Sequence, residues 1–121
     1  MIIVLKNEGV QVMKVYSVKV LIEATIVPDD DTKTFEEVIV LVEALNYDDI
    51  EAKIHKHFVD HTYENALGGQ ITWSLVRILD IFETVDIFEG DINFKEVYSR
   101  FLEFDRPITA DEVIELYSLD K

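Results

Sequence analysis

KVYSVKVLIEATI, residues 14–26, alternates: Tyr16, Val18, Val20, Ile22, Ala24 and Ile26 fall on one side of an extended chain, and Ser17, Lys19, Glu23 and Thr25 on the other. Successive side chains of a strand point to opposite faces, so the pattern predicts a long strand with one face in a core and the other nearer water. Pro28 and the polar run Asp29 to Thr32 end it. FEEVIVLVEAL, residues 35–45, is rich in β-branched residues and is the returning strand of a hairpin.

Working outward from that hairpin, Asn46 is an N-cap candidate succeeded by Asp48 and Asp49, whose carboxylates suit the positive end of a helix. The spacing of Tyr47, Ile50, Ile54 and Phe58 predicts a helix to about Glu64, and Gly68 and Gly69 bar any extension of it. QITWSLVRILDIFE (70–83) and INFKEVYSRFLEF (92–104) read as two further strands joined by an acidic turn near Glu89 to Asp91, a second hairpin. Pro107 then precedes Thr109-Ala-Asp-Glu112, a capping box, and a short helix bearing Val113, Ile114, Leu116 and Tyr117. The expectation is an α+β domain of order β-β-α-β-β-α, an antiparallel sheet of two hairpins with helices on one face.

The chain has two methionines, and the second, Met13, stands just before the alternating stretch. Glu8-Gly9-Val10 can be encoded as GAAGGAGTN, a ribosome-binding sequence about eight nucleotides ahead of a Met13 codon, so residues 1–12 are read as a leader outside the domain 13–121. The alternative is that IIVLK, residues 2–6, is an edge strand, since four apolar β-formers stand in a row.

At 121 residues the chain is about one domain long and can bury a real core, and its 49% hydrophobic residues with few Gly and Pro are those of a globular protein. There is no cysteine, so disulfides and thiolate chemistry are excluded, and MIIVL is too short for a secretory signal. A cytoplasmic location is expected. Twenty-five acidic against 11 basic residues give a net charge of −14, a surface that repels nucleic acid and anionic membranes and steers basic partners. The acids gather in two groups, Asp29, Asp30, Asp31, Glu36 and Glu37, and Asp80, Glu83, Asp86, Glu89 and Asp91. These are the candidate face for a basic protein partner, or else a solubilising surface.

Motifs for chemistry are weak. HKHFVDH, residues 55–61, sets His57 and His61 four apart with Asp60 between, near the H-x-x-E-H of inverted zinc peptidases, but Asp replaces Glu and no third ligand stands at helical spacing; no metal is expected. PDDDTKTFEE lacks the central Gly of a calcium loop, Gly68-Gly69 does not open a helix as a phosphate loop would, and Ser17, Ser74 and Ser99 lie inside strands. No cofactor and no catalytic residue are predicted. Lys19, Glu23, Glu43, Arg77, Glu96 and Arg100 interrupt apolar strands. They read either as cross-strand ion pairs on a wet face or as part of a ligand cleft, with Arg77 or Arg100 holding an anion beside Trp73, Tyr98 and His61.

KVYSVKVLIE (14–23), FEEVIVLVEA (35–44), YENALGGQITWSLVRILDIFE (63–83) and KEVYSRF (95–101) together resemble an uncharacterised bacterial family of small domains of unknown function, with an aromatic-x-V-K first strand, a later W-x-x-x-x-x-L-D strand and an E-V-Y-S-R strand. The resemblance supports the domain limits and implies no catalytic residue. The leading expectation is a non-enzymatic acidic binding protein for a basic protein, as immunity proteins and phage-encoded inhibitors are. The competing one is a small-ligand or sensory domain using the cleft, with an exposed strand edge able to join two copies.

Overall fold

The computed structural model describes residues 2–6, 9–28, 33–84 and 92–117. The elements are β1 (Ile2–Lys6), β2 (Gly9–Val27), β3 (Lys33–Ala44), α1 (Asp49–His57), β4 (His61–Glu64), β5 (Gln70–Glu83), β6 (Lys95–Phe104) and α2 (Ala110–Tyr117). β2 and β3 form the expected hairpin, in register from Lys14 opposite Ala44 to Ala24 opposite Thr34. The sheet is antiparallel, ordered β4-β5-β2-β3-β6, with β1 on the early part of β2. None of the helices among the described residues is long and apolar enough to cross a membrane.

The expected second hairpin does not form. β5 pairs with β2 and β6 with β3, so the strands predicted to join each other instead flank the first hairpin. The reason is burial: consecutive residues such as Val20-Leu21 and Val40-Leu41-Val42 are all buried, which requires the two central strands to be covered on both faces and paired on both edges.

The helices correspondingly lie on opposite faces, not on one. Ile50 and Ile54 of α1 pack with Tyr16, Val18, Val20, Val38, Val40, Val42 and Ala44. Val113 of α2 and Ile108 pack with Leu21, Phe35, Leu79 and Leu102. Register shifts in β5 opposite Lys19/Val20 and Leu21/Ile22 bring Val76 and Leu79 to the α2 side, a face that simple alternation leaves polar.

α1 is also shorter than predicted. It stops at His57, with the Phe58 N–H bonded to the Ile54 carbonyl at 2.9 Å, and residues 61–64 form β4. A side-chain-capped turn sets up the β4–β5 hairpin. Asn65 Oδ1 accepts from the Leu67 and Gly69 amides at 3.0 and 2.9 Å, Gly68 has a φ of +84°, and a Cβ on Gly69 would meet the Val27 carbonyl oxygen at 2.7 Å. The capping box of α2 closes reciprocally, Glu112 N–H to Thr109 Oγ1 at 3.1 Å and Thr109 N–H to Glu112 Oε1 at 3.2 Å. At α1 the residue before the helix is Asp48, and Asn46 acts earlier, its Oδ1 accepting from the Asp49 amide at 3.2 Å.

β1 pairs only with residues 9–13, which enter neither the β2–β3 nor the β2–β5 ladder. A chain beginning at Met13 keeps every pair of those two ladders and is expected to unfold cooperatively, with a Tm within about 5 °C of the full chain. Loss of the cooperative transition in a calorimetric melt would make residues 1–12 part of the folding unit.

Candidate functional site

On the α1 face the helix covers one half of the sheet, from Tyr16 to Val20 and from Val38 to Ala44. The other half centres on Ala24, whose small buried side chain leaves room for larger neighbours. Trp73 stands in register between His61 and Ala24, and one row away Phe101 stands opposite Glu36, which in turn faces Ile22. Trp73 Nε1 donates to the Tyr63 hydroxyl at 3.3 Å. Ring centroids lie 6.2 Å apart for Trp73–Phe101 and 5.8 Å for His61–Tyr63. Tyr63 and Phe101 remain 43% and 59% exposed, so the rings form an open surface and not a core.

Glu36 stands in register with Phe101, on the same half-face. Burial pushes its carboxyl above the ordinary range and the Glu96 carboxylate pushes the same way, against a lowering hydrogen bond from Ser99. The exposed Glu96 carboxylate thus acts on a partly desolvated Glu36, and no Lys or Arg occupies a register position on this half of the face among the described residues.

The α2 face carries charges in a row: Arg77, Leu21, Glu37 and Arg100 stand in register across β5, β2, β3 and β6. Glu37 is only 2% exposed; its Oε1 accepts from Arg100 Nε at 3.2 Å, while Oε2 has no hydrogen-bond partner. The Arg100 guanidinium lies 5.8 Å from the Tyr117 ring centroid. Lys33 pairs with Glu23 at 3.2 Å and also donates to the Ala24 carbonyl at 3.0 Å. Both pairs are the cross-strand kind that charges inside strands suggest.

The residues predicted for a ligand cleft are therefore not brought together. His61 and Trp73 share the aromatic half-face, whereas Arg77, Tyr98 and Arg100 are in register with Leu21, Ile39 and Glu37 on the α2 face. Open depressions lie at Thr34, Glu103, Phe104 and Asp105, and at Arg106, Glu112, Glu115 and Leu116, and neither includes any of the five. The first acidic group is split as well: Glu36 and Glu37 belong to β3 and not to a turn, on opposite faces. Asp80 and Glu83 are exposed on β5, with Glu83 3.5 Å from Lys14. Asp29, Asp30, Asp31, Asp86, Glu89 and Asp91 lie outside the described residues.

His57 and His61 do not share a helix face. His57 stacks on Phe94, with centroids 3.9 Å apart and planes 7° from parallel, while His61 is on β4. Among the described residues no group of three His, Cys, Asp or Glu is placed to hold a metal ion. Sequence reasoning missed Tyr63 and Phe101 and mistook the setting of Glu36. The alternation His61-x-Tyr63 opposite Trp73-x-Ile71 was the available signal, hidden by extending the helical period through it.

A family model described as a domain of unknown function (DUF4288) matches residues 15–99, a span that includes Glu36, His61, Tyr63 and Trp73. No curated protein and no solved structure matches the chain.

Proposed function

The chain belongs to the DUF4288 family of domains of unknown function, and from that premise we propose that it is a non-enzymatic binding protein whose acidic, aromatic half-face holds a basic segment of a protein partner. The observation that carries the reading is Glu36, kept near Glu96 with its carboxyl pushed up and in register with Phe101, on a half-face where Tyr63 and Phe101 are exposed and Trp73 is half-buried. A Lys or Arg side chain there would gain a charge-assisted hydrogen bond and ring faces together, about 0.5–2 kcal/mol for each cation–π contact. The net charge of −14 supplies the long-range steering.

Trp73 is the sole tryptophan, so its emission reports on this half-face alone. An arginine-rich peptide is expected to shift that emission saturably, while a glutamine peptide of equal length does not. Glu36→Gln should weaken the arginine-peptide affinity about five- to tenfold, a loss of roughly 1 to 1.4 kcal/mol. Raising salt should weaken it further, through slower association. Equal response to both peptides, or binding indifferent to Glu36→Gln and to salt, would sink the reading.

The same carboxyl links binding to stability. The folded chain holds the Glu36 proton more tightly than the unfolded chain, whose carboxyl titrates near 4.5. Its favourable effect on folding is complete below that value and is lost as pH rises through the raised folded value. Glu36→Gln is therefore expected to raise Tm at pH 7 and to give no gain at pH 3.5, measured by thermal melts at both pH values. A gain of equal size at both would remove desolvation of Glu36 as its cause.

A further inference from the structure

β6 ends the sheet, and among the described residues its outer edge has no strand beside it. Its residues from Lys95 to Phe101 are all exposed, including Val97, Tyr98 and Phe101 at 51, 42 and 59%. Edge strands are normally blunted by charge, bulges or cover. Here a register shift isolates Val97, but Tyr98 to Phe104 pairs regularly with β3 over its whole length, from Ile39 opposite Tyr98 to Lys33 opposite Phe104. That leaves seven residues with an unshifted ladder on the inside and, among the described residues, an open one on the outside.

We propose that this edge binds a second copy of the chain, antiparallel, with Phe101 facing Phe101 on the two-fold axis. Antiparallel partners must both point their amides toward, or both away from, the other strand, so identical regular strands pair only with the axis on a residue. An axis on Arg100 sets two guanidinium groups opposite each other. An axis on Ser99 runs the ladder through the register shift at Val97. The axis on Phe101 uses the whole regular stretch and sets Tyr98 opposite Phe104, Ser99 opposite Glu103 and Arg100 opposite Leu102 of the second copy, with no like charges facing. Aromatic cross-strand pairs are the favourable kind.

Charge permits pairing at this edge. The strand bears Lys95 and Arg100 against Glu96 and Glu103 and is neutral, in a chain whose net charge is −14. A second acidic copy therefore meets no net charge of like sign along this strand. Because Phe101 meets Trp73 within each copy, the two aromatic half-faces become continuous across the axis. The pairing stands whether or not the basic-partner reading does.

The test uses the full chain in sedimentation velocity from about 1 to 100 µM, the range in which a small interface becomes populated. The mass is expected to rise from 14.0 kDa toward twice that value. Higher salt should preserve or increase it, the opposite of its effect on an arginine peptide. Phe101→Glu should keep its melting transition, since the side chain is exposed, yet stay monomeric. The chain has no cysteine, so Phe101→Cys should form a symmetric disulfide on oxidation, whereas Tyr98→Cys, six residues out of register with itself, should not. A monomer at every concentration, a Phe101→Glu chain that dimerises unchanged, or cross-linking equal at both positions would overturn the proposal.

Discussion

Replacing Phe35 by alanine is expected to lower the unfolding free energy by roughly 3 to 5 kcal/mol, the range for emptying a fully buried aromatic site. Phe35 is 0% exposed and packs with Leu21, Leu79, Leu102, Ile108 and Val113, with the Phe104 ring edge-on at 6.2 Å. It is the largest fully buried side chain under α2, and the cavity is lined by β2, β5 and β6, by Ile108 and by one short helix, which cannot all close on it. The loss has a direction: hydrogen exchange should quicken most in α2, while α1, packed on the other face, should keep its protection relative to the sheet. Ile54→Ala, on the buried side of α1, should cost roughly 2 to 5 kcal/mol and show the reverse exchange pattern. Both helices loosening equally in both variants would mean that the two apolar clusters do not act as separate layers.

Arg100→Met is the second large effect, expected at about 2–3 kcal/mol. Removing one partner of a buried ion pair leaves the other charge uncompensated, which costs about 3 to 5 kcal/mol when both are buried. Here Glu37 is 3% exposed at its side chain but Arg100 is 44% exposed, so solvent reaches half the pair and the lower figure applies. Glu37 Oε2 already lacks a partner, so the variant strips the carboxylate of the one hydrogen bond at its other oxygen. The double variant Glu37→Leu with Arg100→Met should regain most of the loss, because an apolar pair of similar volume needs no solvation. Denaturant melts of the single and double variants make the cycle. A single Arg100→Met variant as stable as the parent would show that water, and not Arg100, supports Glu37.

Much of the fold was legible along the chain. Period-2 alternation over residues 14–26, the β-branched run 35–45 and the Thr109–Glu112 capping box each depend on near neighbours, and each element stands where its pattern placed it. The stripe Ile50 and Ile54 was legible for the same reason. The end of α1 was not. Phe58 continues the helical spacing, and only the hydrogen bonds that β5 offers to residues 61–64 make a strand preferable there. The aromatic half-face escaped along with it, since Tyr63 and His61 join Trp73 only once β4 pairs with β5. Glu37 looked like one more solvated acid beside Glu36, yet the two point to opposite faces and differ in burial because α2 and Arg100 cover one of them.

By itself the sequence determined the four long strands β2, β3, β5 and β6, the start of α2, the antiparallel class and the acidic charge, because propensity, capping and periodicity act over a few residues. The tertiary structure alone decided the neighbours of β4, β5 and β6 and which face each helix covers. Two apolar parities in β2 and β3 demand cover on both sides and partners on both edges, and that demand is met by residues far along the chain, as Arg100 is from Glu37, whose pairing no local period records.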